Sequence, residues 1–309
     1  MSIKKYLITG GAGFIGSNLS GRLIQLGHEV VIVDNLSTGS IDNIPNKATF
    51  VNLDLCDPEF VNKLPRDKFD AVCHLAAQSS GPLSLEIPYA DLQANAVSTL
   101  LLSRWCLKNR ISRFIYASSM AVYGNPKSLP VTEDFKCEPV SYYGVSKLTS
   151  ENLLRLAEDE GLSTTSFRMF SVYGPGQNLN NRNQGMMSIY LSYLLEGSIL
   201  PVTGSFDRFR DFVYIDDVID AWVNAIMKSK TPSKVYNLGS GIKTTVHDLI
   251  KLLIEELKLR KDYPIEEMKT KKSDQFGLHS DIKRARLDLN FNPKVTIEEG
   301  VNKVVQYYK

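Results

Sequence analysis

The chain has no long hydrophobic run, four cysteines, four histidines and no marked excess of either charge, and each shortage excludes a class of protein. No apolar stretch approaches the roughly 20 residues that a membrane-spanning helix requires. Cys56, Cys73, Cys106 and Cys137 are widely spaced, with no C-x-x-C pair and no histidine at a zinc-ligand spacing. They read as buried or incidental thiols, and no metal site is expected. Lys plus Arg at 36 against Asp plus Glu at 34 leaves a net charge of +2. That balance supplies no basic stripe for phosphate contacts, so a nucleic-acid partner is not expected. The N-terminus runs from Met1 to Lys5 and then directly into an apolar segment broken by glycines. This leaves no room for a secretory leader, and the expectation is a cytoplasmic protein without a membrane partner.

What is present is an ordinary globular composition, 43% hydrophobic and 23% charged over 309 residues, a length of about two domains. The first half alternates short β-branched runs, at 5–9, 29–33, 49–53, 70–75 and 113–118, with helical patterns at 14–26, 89–108 and 142–160. Strand and helix in this rhythm imply a doubly wound parallel sheet covered on both faces, because each parallel crossover needs a helix. Beyond Phe170 the pattern loosens. A Gly-, Asn- and Pro-rich stretch opens at Tyr173 and stays polar through Gln184. Strand-like segments follow at 211–215 and 234–238, separated by a helix through Met227, and the C-terminal third is helical around 249–257 and 297–306. The expected division is a cofactor domain of residues 1–173 plus 215–238, with a smaller α/β substrate domain of 174–214 plus 239–309.

Three groups of residues carry chemistry. First, Gly10, Gly11, Gly13 and Gly16 lie between the first strand and the first helix, in both G-x-G-x-x-G and G-x-x-G-x-x-G spacings. Such a turn lets a pyrophosphate approach backbone N–H groups at the positive end of a helix, the signature of a Rossmann dinucleotide site. The second strand then ends at Asp34, 21 positions beyond Gly13. An acidic residue there accepts from the adenosine ribose hydroxyls and repels a 2′-phosphate, so NAD is expected over NADP.

Second, Tyr followed by Lys four residues later occurs twice, at Tyr123 with Lys127 and at Tyr143 with Lys147. Pro126 lies inside the first pair, next to Gly124 and Asn125, and prevents a helix interior. The second pair follows Ser141, a suitable N-cap, and precedes Gly161, a suitable terminator. Tyr143 and Lys147 should therefore share a helix face. There the ammonium is expected to lower the phenol pKa toward neutrality and make it a general base. Third, Ser118 and Ser119 end the strand at 113–118, where a parallel sheet opens onto its ligand crevice. A Ser119 hydroxyl there can hydrogen-bond a reacting oxygen.

With these residues the chain resembles the extended short-chain dehydrogenase/reductase family, specifically its NAD-dependent nucleotide-sugar epimerases. The matching strings are Thr9-Gly-Gly-Ala-Gly-Phe-Ile-Gly16, Val33-Asp-Asn-Leu-Ser-Thr-Gly39, His74-Leu-Ala-Ala77, Ser118-Ser-Met-Ala-Val-Tyr-Gly124, Tyr143-Gly-Val-Ser-Lys147, Val172-Tyr-Gly-Pro-Gly176 and Arg210-Asp-Phe-Val-Tyr-Ile-Asp-Asp-Val218. The resemblance implies that Tyr143 is the base, that Lys147 tunes it and holds the nicotinamide ribose, and that Ser119 bonds the sugar oxygen. It places Asp54 and Leu55 at the adenine and Gly10, Gly13, Phe14, Ile15, Gly16, Asp34, Asn35, Ser37, Leu75, Ala76, Ala77, Asn95 and Phe170 around NAD. Ser79, Ser171, Gln184 and Arg210 would contact the nucleotide sugar, and the loop 177–187 would cover it. Ser171 stands where the family has Asn, and Lys271, with Asp274 three residues on, is the nearest match to a diphosphate-binding Arg. Leu278 lies near the position that controls tolerance of an N-acetyl group.

Met120 and Ala121 follow Ser119 where related dehydratases and decarboxylases carry acids. The implied reaction is therefore inversion at carbon 4 of a UDP-hexose, UDP-N-acetylhexosamine or UDP-uronate through a 4-keto intermediate. A nucleotide-sugar dehydrogenase or reductase and a non-catalytic dinucleotide-binding protein are the alternatives. The resemblance also implies a homodimer built from the helices at 89–108 and 142–160.

Overall fold

A computed structural model describes residues 2–309 apart from Gln184, Ser233 and 270–274. Seven parallel strands form its main sheet, in the order Val235–Leu238, Ser163–Met169, Arg113–Ser119, Ala71–His74, Lys5–Thr9, Glu29–Asp34 and Thr49–Asn52. The order reverses direction at Lys5–Thr9, so the loops leaving that strand and Ala71–His74 diverge and open a crevice at their carboxyl ends. Thr9 pairs with His74 at that edge.

The period-2 alternation of the strands divides the core in two. Tyr6, Ile8, Val30, Ile32, Cys73, Ile115 and Phe167 face one side and pack with Leu19, Leu23, Val218 and Trp222. Leu7, Val31, Val33, Val72, Phe114 and Tyr116 face the other and pack with Leu102, Trp105, Leu154 and Ala157. Burial of each such large side chain contributes about 1.5–3 kcal/mol. The first of these clusters continues without a break into Leu191, Leu249, Leu253, Val301 and Val304, so the C-terminal helices share the sheet's core. All four cysteines are free thiols, with Cys73 and Cys106 buried.

Most of the elements read from the sequence lie where expected, while others, among them the helix Met186–Leu195 and the strands Leu200–Thr203 and Ile265–Met268, were not read. Two departures bear on the site. The strand Ser163–Met169 escapes the sequence reading because only Phe167 and Met169 are strongly apolar in it, yet it is buried between Arg113–Ser119 and Val235–Leu238. The helix expected over 89–108 is three pieces: Pro88–Leu92, a π-helical turn Gln93–Val97, and Ser98–Lys108. The local cause is visible in the hydroxyls that take up backbone carbonyls there. Ser98 Oγ donates to Ala94 O at 2.6 Å, Thr99 Oγ1 to Asn95 O at 2.6 Å, and Ser150 Oγ to Asn95 O at 3.2 Å. Such turns recur at functional sites.

After the sheet's sixth strand in chain order, Ser171–Tyr173 pairs in parallel with Phe212–Tyr214, and the long helix Ile215–Ile226 returns the chain toward Val235–Leu238. Leu200–Thr203 pairs with Ile265–Met268, and Phe209–Arg210 with Thr244–Thr245. The polar loop after Tyr173 is pinned rather than open. The Asn178 and Asn181 side chains close turns on the N–H groups of Asn180 and Asn183, and the Tyr308 hydroxyl donates to Gln177 O. Among the described residues no helix is long and apolar enough to cross a membrane.

Candidate active site

The glycine loop is tight for reasons that can be read atom by atom. Gly10 has φ +70°, and a Cβ on it would lie 2.5 Å from Ala76 N. A Cβ on Gly16 would lie 2.1 Å from Gly10 O. These two glycines let the first strand, the first helix Phe14–Gln25 and the Leu75–Ala77 segment meet closely. Gly13 is the helix N-cap and has no side chain to cover the first-turn N–H groups, which leaves them for an anion. Gly39 closes the loop from below, because a Cβ there would lie 2.8 Å from the Ala12 backbone. The sequence reading included Gly39 in a motif but gave it no task.

Asp34 is buried at the end of its strand. One carboxylate oxygen accepts from Ala12 N at 3.0 Å and the other from Leu36 N at 2.8 Å. The acid thus ties the second strand to the glycine loop, and no lysine or arginine pairs with it among the described residues. Asn35 accepts from Ser37 N at 3.0 Å, and Asp54 from Cys56 N at 2.8 Å, so both form short turns on the rim while Leu55 is buried beside them. The open donors at Gly13, the close approach allowed by Gly10 and the acid at Asp34 together fit an NAD dinucleotide.

Across the crevice, Ser141 caps the helix Tyr142–Asp159 by accepting from Gly144 N at 3.1 Å, and Gly161 leaves it at φ +100°. Tyr143 and Lys147 therefore lie one turn apart on one face, as expected, with the Lys147 ammonium 5.7 Å from the Tyr143 ring centre. Lys147 is 2% exposed and donates to Ala117 O at 2.9 Å, on the strand that ends at Ser119. Ser119 Oγ accepts from Ala121 N at 3.2 Å and caps the short turn Met120–Tyr123. Serine, tyrosine and lysine are thus brought to one point of the sheet edge. The electrostatics correct one expectation. Burial pushes the Tyr143 phenol up to about 12, against the opposing hydrogen bond from Ser119, and pushes Lys147 down to about 7 against the fields of Asp91 and Glu151. In the polypeptide alone, desolvation is the largest influence on both groups.

The other pair is a different object. Tyr123 is buried, its hydroxyl donates to Asn237 Oδ1 at 2.6 Å, and the Arg168 guanidinium covers its ring at 4.8 Å. Lys127 is exposed beyond the Gly124 turn.

Several groups that surround the site were given no role by the sequence reading, and two of them, Asp91 and Glu151, lie in no recognisable motif. Asp91 is fully buried and accepts from Gln78 Nε2, Asn95 Nδ2 and Ser146 Oγ. Glu151, one turn beyond Lys147, accepts from Ser118 Oγ at 2.5 Å and from Arg168 at 2.7 and 3.0 Å. His74 lies buried beneath, bonded to Thr9 and Thr99 hydroxyls, and burial lowers it to about 3, so it is neutral. The spacings Asp91 to Asn95 and Lys147 to Glu151, each four residues on a helix, were the available signal.

The residues expected to meet a nucleotide sugar are more dispersed. Arg210 donates to Phe209 O at 2.7 Å and to Phe276 O at 3.3 Å. A cleft of about 370 Å³ runs between Phe209, Phe276 and Gly277 on one side and Asn125, Pro126 and Leu129 on the other. Its second wall follows the Ser119–Gly124 segment. Next to Arg210, Asp211 is fully buried and accepts five hydrogen bonds, from the N–H and hydroxyl groups of Ser240 and Ser280 and from Gly241 N. Ser171 sits on the strand beside it, with its N–H on Asp211 O, and Ser79 is exposed on the loop after Ala77. Phe170 and Leu278 are both buried with Val122, Tyr123 and Val131, which places Leu278 against the Met120–Tyr123 turn. Gln184, Lys271 and Asp274 lie outside the described residues.

Comparison with known proteins decides the family. The profile of the NAD dependent epimerase/dehydratase family matches residues 6–239. The chain belongs to that family. Its cofactor is NAD. A "Putative UDP-glucose 4-epimerase" of Methanocaldococcus jannaschii is 33% identical over 98% of both chains. UDP-glucuronic acid decarboxylase 1 of Danio rerio is 32% identical over 99% of this chain and 72% of its own length. Among solved structures, UDP-glucose 4-epimerase of Thermotoga maritima with UDP-glucose superimposes with a TM-score of 0.92 at 33% identity, over 98% of both chains.

Proposed function

We propose that this family member is a UDP-sugar 4-epimerase. The observation that carries the reading is the meeting of Tyr143, Lys147 and Ser119 at the carboxyl edge of the sheet, followed by Met120 and Ala121, which cannot ionise. Decarboxylation or dehydration asks for a further acid or base at that loop, and the chain offers none there. Its relatives include both epimerases and a decarboxylase, so this local chemistry is what favours one reaction over the other.

When bound, NAD supplies a hydride acceptor and donor. The chain's own part is to hold and move one proton and to orient the sugar. Tyr143 takes the proton of the carbon 4 hydroxyl, Ser119 hydrogen-bonds the same oxygen, and Lys147 stabilises the phenolate and holds the nicotinamide ribose. The 4-keto sugar turns in the cleft and is reduced on its other face, with the proton returned by Tyr143. Asp34 holds the adenosine ribose, Asp54 and Leu55 the adenine. Arg210 suits the diphosphate because a guanidinium presents a fork of donors. Residues 1–173 plus 215–238 would carry the cofactor and 174–214 plus 239–309 the substrate.

The test is to incubate the purified protein, with no added coenzyme, with UDP-, GDP- and dTDP-sugars in turn. Formation of the 4-epimer of a UDP-sugar without accumulating NADH is the expected result. Stoichiometric NADH would instead mark the dehydrogenase alternative.

We also propose a homodimer. Tyr89, Leu92 and Leu100 on one helical run, with Tyr142, Val145 and Leu156 on its neighbour, leave an apolar face exposed, Tyr89 at 73%. Faces of that kind mark association surfaces. Sedimentation at micromolar concentration should give twice the monomer mass, and a monomer there would refute it.

A further inference from the structure

Two buried carboxylates, Asp91 and Glu151, exert their fields on Lys147, and they differ in what balances them. Glu151, on the same helix, forms a two-point ion pair with Arg168, so its charge is offset by a cation that is itself 5% exposed. Asp91 comes from a separate helix, Pro88–Leu92, and the groups that reach its oxygens are neutral. Gln78 Nε2 donates at 2.7 Å and Asn95 Nδ2 at 3.1 Å to one oxygen, and Ser146 Oγ donates at 2.6 Å to the other. Gln78 is itself fixed, accepting from Ser80 N and donating to Ser80 O. Asn95 also donates to Ser146 Oγ at 3.0 Å, which closes the clamp around the carboxylate.

Ser146 immediately precedes Lys147, so the clamp ties Asp91 to the catalytic helix one residue from the lysine, and the carboxylate acts on the buried ammonium through its field rather than by a direct ion pair. A buried carboxylate that meets only neutral donors is strongly disfavoured unless a cation lies close, and the same holds for a buried ammonium without an anion. The remaining ionisable groups packed around this point are accounted for. Tyr116 lies under the ammonium at 5.0 Å, with Tyr143 at 5.7 Å. His74 on the neighbouring strand is bonded to two hydroxyls, and Arg168 is engaged by Glu151.

Accepting the acid–base assignment above, we propose that Asp91 is a positioning residue for this site: its carboxylate, clamped by Gln78, Asn95 and Ser146, is the counter-charge that keeps Lys147 an ammonium in a dry pocket. Lys147 bonds to Ala117 O and faces Tyr143, so its charge state bears on both its own place and the phenol's proton. Asp91 touches neither sugar nor nicotinamide in this scheme and acts only through Lys147.

The experiment follows the Lys147 proton directly, in the full chain with NAD bound. Protein labelled with 13C at lysine Cε is titrated by NMR, with the Lys147 signal assigned by its loss in Lys147→Met. Asp91→Asn preserves shape and can keep the clamp, since Ser146 can accept from the new amide while donating to Tyr143 O, 3.0 Å away. The Lys147 midpoint should fall by about one pH unit or more, the usual scale for loss of one nearby opposite charge. Ser146→Ala loosens the clamp without changing any charge and should leave the midpoint in place. An unchanged midpoint in Asp91→Asn, or an equal fall in Ser146→Ala, would overturn the proposal. If Asp91→Asn does not fold, Asp91→Asn combined with Lys147→Met removes both charges. Recovery of the fold by the double change supports the pairing, and failure to recover overturns it. None of these readings needs turnover, so they stand apart from the sugar assay. Where the assay succeeds, the alkaline limb of its pH profile should move down with the Lys147 midpoint.

Discussion

The two Tyr-x-x-x-Lys strings have the same spelling and opposite uses. At Tyr143 the intervening residues Gly144, Val145 and Ser146 continue a capped helix, and lysine and tyrosine come to one face. At Tyr123 the chain turns at Gly124, with φ +66°, and Lys127 is carried into solvent. Tyr123 is the more deeply buried of the two and has a firm hydrogen-bond partner in Asn237, whereas Tyr143 remains partly exposed at the crevice. A tyrosine with every bond satisfied holds a structure together. One that stays partly exposed at a crevice, with its hydroxyl on Ser119, is placed to exchange a proton.

Substitutions can break this contrast from either side. The largest effect belongs to Tyr143→Phe. It should lower epimerisation of the accepted UDP-sugar by about 10²- to 10⁴-fold, the scale of a lost general base, while NAD still co-purifies with the chain. Retention of most of the activity would remove Tyr143 from the mechanism. Tyr123→Phe should do the reverse. It leaves Asn237 Oδ1 buried without its donor, at a cost of about 1–3 kcal/mol in urea unfolding, with turnover per folded molecule unchanged. The smallest effect is that of Lys127→Ala, within about 0.5 kcal/mol in the same unfolding assay, as for an ordinary exposed side chain. A large activity loss in either of the last two would erase the distinction.

The same contrast explains what could be read in advance. The glycine loop, Asp34 and the Tyr143 helix are legible because backbone geometry forces residue type: φ +70° at Gly10, the N-cap at Ser141, a strand ending at an acid. Local rules of this kind act over a few residues. Asp91, Glu151 with Arg168, and Asp211 are not legible, because each is defined by partners far along the chain. Ser146 is 55 residues from Asp91, and Ser280 is 69 from Asp211. No spacing announces those long-range bonds, and the four-residue steps Asp91 to Asn95 and Lys147 to Glu151 signal only the local part of each group. The buried strand at Ser163–Met169 escaped for a related reason, since the hydroxyls of Thr164 and Thr165 find partners in Glu158 and Thr231 that the fold brings to them. The phenol pKa was misjudged because sequence names the nearby ammonium and is silent about desolvation, which is the stronger influence on both groups.

The π turn at Gln93–Val97 is a matter of phase. Relative to an α-helix it accommodates one surplus residue, and each residue is worth about 100° of rotation. Upstream of it, Asp91 points at the Tyr142–Asp159 helix; downstream, Leu102 and Cys106 point into the sheet. A single winding cannot serve both directions. The surplus residue lets one end of the helical run be cut for the reacting site and the other for the core, so that either can change its side chains without turning the other out of register.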